Sequence, residues 1–316
     1  MVYPIKSLPG LSVKTWKVDE FGLECDRMYM LGHLDPETNK YRSVTLREYP
    51  HLSLIKISLH DDEFRVSYKD TTYICLPRIV TLSYLRQYSN LKDQDVELWG
   101  VGFKTLVLHQ VNLDKFLDVL NLPKDIKLLY SISGKDVKTN SPDNLTTHEN
   151  FHKTAEDQRF RITKFQEYFP ILLMSDKDIL QINRKIQESF PEKDDFPPTT
   201  AANYRPNILV SGVATPFDTD DWYHYQIHTN TGKYDWLVTS KCPRCSIPNI
   251  DPVTGLPDKL HRVSKTLAKH RRVDIGNSNF AFLGIHAVQL QVGYKISVGD
   301  RLNVLERRLN IYKPLT

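Results

Sequence analysis

From residue 2 to residue 110 the chain repeats one local pattern, a short run of β-forming residues closed by a cluster of turn formers. Tyr3-Pro4-Ile5-Lys6, Met28-Tyr29-Met30-Leu31, Ser53–Leu59, Phe64–Tyr68 and Thr72–Leu76 are such runs, and Val96–Phe103 adds another. Pro9-Gly10, Asp35–Asn39 and the polar His60-Asp61-Asp62-Glu63 separate them. Many short strands with turns at close spacing predict a β-barrel or sandwich.

Beyond that region the pattern mixes. Phe116, Leu117 and Leu120 make an apolar stripe that predicts a helix over about 113–120, with Asn112 as its cap. Residues 132–158 are polar, with few large apolar side chains, and read as a linker or insertion. Pro170–Ser175 reads as a buried strand, and Ser175 is placed to cap a helix over 176–189. Arg205–Gly212 reads as a strand with a polar start, and Trp236–Ser240 as a strand running into a Cys-x-x-Cys. Val288–Val292, Lys295–Val298 and Leu302–Leu305 alternate with period two, with Gly293-Tyr294 and Gly299-Asp300 as turns between them. The expected class is mostly β with α (α+β). An N-terminal β-barrel-like domain spans 1–130, a linker 131–158, and a second β-barrel domain with peripheral helices 159–316. A chain of 316 residues also exceeds the roughly 250–300 at which one core stops growing.

Composition bounds the function. With 42 Lys+Arg against 38 Asp+Glu the formal charge is +4, which makes no case for nucleic acid as a partner. Four irregularly spaced cysteines argue for a reducing compartment. No apolar run approaches the ~18 residues of a membrane span, and the N-terminus lacks signal- or transit-peptide character. The expectation is a soluble intracellular protein without a membrane anchor, cytoplasmic or mitochondrial.

Two of the cysteines stand together in Lys241-Cys242-Pro243-Arg244-Cys245-Ser246-Ile247-Pro248-Asn249-Ile250-Asp251-Pro252. A thiolate is a strong soft-metal ligand and nucleophile, and a neighbouring cation favours its charged form. Three chemistries are open. Structural zinc needs two further ligands, but His261 and His270 do not have a zinc finger's spacing. Thiol–disulfide exchange needs the motif to open a helix, whereas Pro248 and Pro252 predict a loop or extended exit. The third is a metal held by one thiolate, its other ligands supplied by an anionic cofactor. That cofactor would be gripped by groups such as Lys6, Ser7, Arg27, Arg47, Arg205 and Arg244. Spacing alone does not bring these residues together.

Read in order, several stretches resemble a MOSC-domain protein preceded by a MOSC N-terminal β-barrel domain. This is the family of the mitochondrial amidoxime-reducing component and the molybdenum cofactor sulfurase C-terminal region. The stretches are Tyr3–Ser7, Gly22–Met30, Thr45–Leu52, Tyr204–Gly212, Pro216–Trp222, Cys242–Cys245, Ile250–Gly255, Phe282-Leu283-Gly284 and Ile296–Asp300. The resemblance implies the molybdenum cofactor (Mo-molybdopterin), with a thiolate completing the metal's coordination. In the amidoxime-reducing branch that ligand matches Cys245, and cofactor contacts match Lys6, Ser7, Arg27 and Arg205, with Arg244 and Asn207 as neighbours. It further implies reduction of N-hydroxylated small molecules, with electrons from cytochrome b5 and its NADH-dependent reductase. At family level it also implies pyridoxal phosphate binding. A non-catalytic cofactor carrier, a sulfur-handling protein and a member that has lost the cofactor are the alternative expectations.

The chain departs from the family in two places. Where amidoxime-reducing members carry an Asp-Thr-Ser-Pro-like run, this one has Glu167-Tyr168-Phe169-Pro170, so two hydroxyl-sized positions have become large aromatics. Pro248-Asn249 stand where two threonines are usual.

Overall fold

A computed structural model describes residues 1–98, 101–132, 135–136, 162–191 and 196–312. The N-terminal half contributes strands β1 (Ile5–Lys6), β2 (Thr15–Asp19), β3 (Gly22–Leu23), β4 (Tyr29–Asp35), β5 (Lys40–Ser43) and β6 (Lys56–His60). It continues with β7 (Glu63–Tyr68), β8 (Thr71–Pro77), β9 (Asp93–Leu98), β10 (Val101–Val107) and β11 (Lys127–Ser131), plus helices α1 (Leu82–Tyr88) and α2 (Asp114–Val119). Strands β4, β11, β10, β9 and β5 hydrogen-bond in that order, and β5 pairs back onto β4, so five strands close into a barrel with β1 alongside β4. Closure leaves no free edge among those five strands. Met30, Tyr41, Val96, Leu98, Phe103, Val107 and Leu129 form one buried cluster, completed by Phe165 from far along the chain.

After the short pair β12 (Lys135–Asp136) and β13 (Ile162–Thr163), the second half builds one six-stranded sheet. Its elements are β14 (Ile171–Ser175), α3 (Asp176–Ser189), α4 (Ala201–Tyr204), β15 (Ile208–Val210) and β16 (Trp222–Thr229). They continue with β17 (Gly232–Pro243), α5 (Arg262–His270), β18 (Phe282–Gln289), β19 (Lys295–Ser297) and β20 (Arg301–Arg307). The sheet order is β15-β14-β18-β17-β16-β20. Ser175 caps α3 in a reciprocal box with Asp178, as its position before an apolar-periodic run predicts. The mostly β architecture, with an N-terminal barrel and a curved C-terminal sheet, agrees with the expected class.

Several local expectations are corrected. Val96–Phe103 is not one strand but the end of β9 and the start of β10, paired antiparallel; Trp99 and Gly100 lie outside the described residues. Ser53 and Leu54 belong to a 3-10 turn ahead of β6. The three alternating C-terminal segments do not form a meander. Only Val288 and Gln289 of the first lie in a strand, the end of β18, which starts at Phe282 and is buried at every residue; β19 crosses to pair with β2, and β20 pairs with β16. A central strand covered on both faces reads as continuously apolar, so period-two alternation marks the wrong end of it. After Cys245 the chain makes a 3-10 turn, Ile247–Asn249, rather than a plain loop. Of the polar stretch 132–158, residues other than 132, 135 and 136 lie outside the described set.

Candidate functional site

Ser7, Arg27 and Arg205 adopt left-handed backbone conformations, with φ of 69°, 49° and 62°. For a residue with a Cβ this conformation costs about 1–2 kcal/mol, and it persists where the surroundings over-determine it. Ser7 follows the end of β1, Arg27 lies in the turn between β3 and β4, and Arg205 caps α4. All three residues line one cavity.

Asp26, 1% exposed, ties these turns together. Its Oδ1 accepts from the Tyr3 backbone N–H at 2.9 Å and from Asn207 Nδ2 at 3.1 Å, and its Oδ2 pairs with Arg27 Nη1. Asn207 Oδ1 in turn accepts from Arg27 Nη1 and from the Leu172 backbone N–H, both at 3.1 Å. The Tyr3 ring carries two guanidinium groups, Arg27 at 4.2 Å and Arg205 at 4.6 Å from its centroid. Arg205 Nη2 also donates to the Leu8 carbonyl at 2.6 Å. Burial pulls the Arg205 guanidinium down to about 10, which still leaves it charged at neutral pH.

The Cys-x-x-Cys arrives on β17, whose last residues are Cys242 and Pro243. Cys242 is buried, and burial raises its thiol pKa against the pull of Arg244. Arg244 donates to Cys242 Sγ at 3.4 Å and to the Tyr204 carbonyl at 2.8 Å, while its buried Nε has no hydrogen-bond partner among the described residues. Cys245 is solvent-exposed.

One cavity of about 410 Å³ is lined by Lys6, Ser7, Arg27, Arg205, Asn207, Arg244 and Cys245, and by Arg47. Every site residue expected from the sequence therefore borders the same space, from both halves of the chain. Its lining among the described residues holds five basic side chains and one carboxylate, Glu167, which pairs with Lys6 Nζ. Burial lowers the Lys6 pKa, and Glu167 opposes that shift.

The same lining is also aromatic, and sequence reasoning missed one of its members, His286. His286, on β18, has ring centroids of Tyr168 at 5.9 Å and Phe169 at 5.7 Å, and its Nδ1 lies 3.3 Å from Ser240 Oγ. Burial, helped by the Arg244 charge, pushes its pKa down to about 3, so the imidazole is neutral at physiological pH. Tyr168 and Phe169, the two aromatics that stand where the family pattern has hydroxyl-sized residues, both line the cavity. A lone histidine in an apolar strand gives no sequence signal; only the wall packed on it shows where it lies.

Two chemistries left open by the motif alone are not assembled here. Among the described residues no group of three or more His, Cys, Asp or Glu side chains is placed to hold a metal ion. Cys242 sits in a strand and a 3-10 turn follows Cys245, so the motif does not open the α-helix that thiol exchange uses. What remains is a soft sulfur and a cluster of fixed cations around one cavity, a donor set suited to an anionic cofactor that brings most of a metal's ligands with it.

The amino-acid sequence of the two halves is matched by known domain profiles. The profile of the MOSC N-terminal beta barrel domain matches residues 1–110, and that of the MOSC domain matches residues 144–303. The chain belongs to the MOSC family. Among its relatives, mitochondrial amidoxime reducing component 2 of Rattus norvegicus is 26% identical over 281 residues, covering 86% of this chain and 71% of the relative. The same component of Homo sapiens is 23% identical over 283 residues, with the same coverage of 86% and 71%. Molybdenum cofactor sulfurase of Arabidopsis thaliana is 26% identical over 321 residues, covering 96% of this chain and 34% of that protein, so the chain spans about a third of the sulfurase. Among the described residues no helix is long and apolar enough to cross a membrane.

Proposed function

We propose that this protein is a molybdenum-cofactor-binding oxidoreductase that reduces N-hydroxylated small molecules, with electrons from a cytochrome b5-type chain. The carrying observation is that residues distant in sequence, Lys6, Ser7, Arg27, Arg205, Asn207, Arg244 and Cys245, line one cavity. In this reading Cys245 is the metal ligand and the cations hold the anionic pterin and its phosphate. The unpartnered Arg244 Nε is a donor available to the same group. The cofactor, when bound, supplies the redox chemistry at the substrate oxygen. This chain's own residues grip it, orient it and, through the aromatic wall, limit water around it. The barrel domain and the MOSC domain are divided at residues 131–158 in this reading.

Purification from a host that makes the cofactor, followed by molybdenum and pterin determination, tests the proposal. The wild-type protein is expected to carry both, and Cys245→Ala to lose the metal. A metal-free wild type indistinguishable from Cys245→Ala would refute it.

The aromatic wall favours one second reading, a cofactor carrier or sulfur-handling protein without turnover. Tyr168 and Phe169 occupy space that smaller hydroxyl residues leave open in the amidoxime-reducing pattern. Benzamidoxime reduction with a reconstituted electron chain separates the two, since sustained turnover excludes a pure carrier.

A further inference from the structure

Lys6 and Glu167 form an unequal pair. The lysine side chain is 6% exposed and the glutamate side chain 52% exposed, although they meet in one ion pair. Lys6 is therefore fixed in the cavity wall at the end of β1, and Glu167 reaches it from the rim. The backbone on the glutamate side is pinned by its neighbour. Gln166 Oε1 accepts from the Lys164 backbone N–H at 2.6 Å, and Gln166 Nε2 donates to the Asp26 carbonyl at 2.9 Å. With its side chain 52% exposed, the Glu167 carboxylate already has solvent beside it.

A buried ammonium has to keep a counter-charge, because desolvation otherwise drives off its proton. Lys6 feels Arg27 and Arg205 as well as Glu167, and Arg27 is itself paired with Asp26, so these three cations face two carboxylates. The same carboxylate is felt by Arg205, Cys242 and His286. Glu167 is the one carboxylate lining this cavity among the described residues, and it is paired with Lys6. Ser7, Arg27 and Arg205 line the same cavity and supply further donors suited to a tetrahedral oxyanion.

We infer that the Glu167 carboxylate and an incoming tetrahedral oxyanion compete for the position beside Lys6, so that Glu167 sets how tightly a phosphate-class group is held. The anion takes over the lysine, and the carboxylate moves out to water, where its half-exposed position makes solvation cheap. Loading of any phosphate-bearing ligand then carries an exchange step, and its affinity is tuned by the length and charge of residue 167. The inference rests on the anion-binding part of the proposed function, not on its redox chemistry.

Isothermal titration calorimetry with inorganic phosphate on the purified full chain tests it without any loaded cofactor. Glu167→Gln is expected to bind phosphate about tenfold more tightly than the wild type, the scale of one charged contact. Glu167→Asp keeps the charge on a shorter stem and is expected to fall between the two. Lys6→Ala, alone or combined with Glu167→Gln, is expected to abolish the heat. Melting temperatures of the variants separate misfolding from loss of binding. Phosphate affinity in Glu167→Gln equal to or weaker than wild type, with binding still dependent on Lys6, overturns the exchange but leaves the cavity an anion site. Absence of any Lys6-dependent binding overturns the exchange and the anion-binding part of the proposed function together.

Discussion

Asn207 shows how much one side chain carries at the junction of the two halves. Its amide accepts from Arg27 and Leu172 and donates to Asp26, so Asn207→Ala leaves the part-buried Leu172 N–H and a buried Asp26 carboxylate oxygen each short of a partner. An unmet buried polar group costs about 1–3 kcal/mol. Urea unfolding of Asn207→Ala is therefore expected to show a loss of about 2–4 kcal/mol, where a surface substitution would lose less than half a unit. His286 gives a second prediction. The unfolded chain takes up a proton on this ring below pH 6.5, while burial delays that in the folded protein until about 3. The unfolded state binds the extra proton, so this contribution is fully present above pH 6.5 and is lost as pH falls toward 3. Unfolding measured between about pH 7 and pH 5 should show a shallower decline for His286→Gln than for the wild type; equal slopes would contradict the burial argument. At this scale the cations were legible because Lys6, Arg27, Arg205 and Arg244 stand in recognisable motifs. His286 was not, because its environment is made by three segments that meet only after folding.

At the scale of elements, the best-read pieces are those with local causes. The helix after Ser175 begins where the cap predicts, and Ser175 Oγ accepts from the Asp178 N–H at 3.3 Å. Asp178 has a further duty, accepting from the Phe217 backbone N–H at 2.6 Å. Ser175→Ala is accordingly expected to cost about 1 kcal/mol of stability by denaturant titration, as lost caps do. Asp178→Ala is expected to cost more, because it also leaves the Phe217 N–H unpaired. Strand β19 is the opposite case. Its alternation was visible, but its partner is β2, across nearly the whole chain, with Ile296 opposite Trp16. Nothing in a period-two pattern says which edge it meets. The stack of Tyr234 on Tyr294, with centroids 3.6 Å apart, helps hold the approach to that crossing.

Taken whole, the two halves share one core. Val18 and Leu23 belong to the same buried cluster as Ile171, Trp236 and Tyr294, and Phe165 fills the barrel beside Phe103 at 5.5 Å. Thermal unfolding is therefore expected to be a single cooperative transition with coincident fluorescence and circular-dichroism midpoints. A fragment of residues 1–132 would lack both Phe165 and β19 and is expected not to fold; two separated transitions in the full chain would show instead that the halves are independent. The sequence by itself determined the short-strand architecture, the cap of α3, the positions of the cations and the two sulfurs, since each depends on residue type and near neighbours. The tertiary structure alone decided that barrel strand β5 closes onto β4, that β18 is covered on both faces, that β19 crosses to β2, and that Glu167 and His286 face the same cavity as Cys245. Those outcomes depend on which apolar surfaces bury one another, and burial is non-directional, so no local pattern encodes the partner.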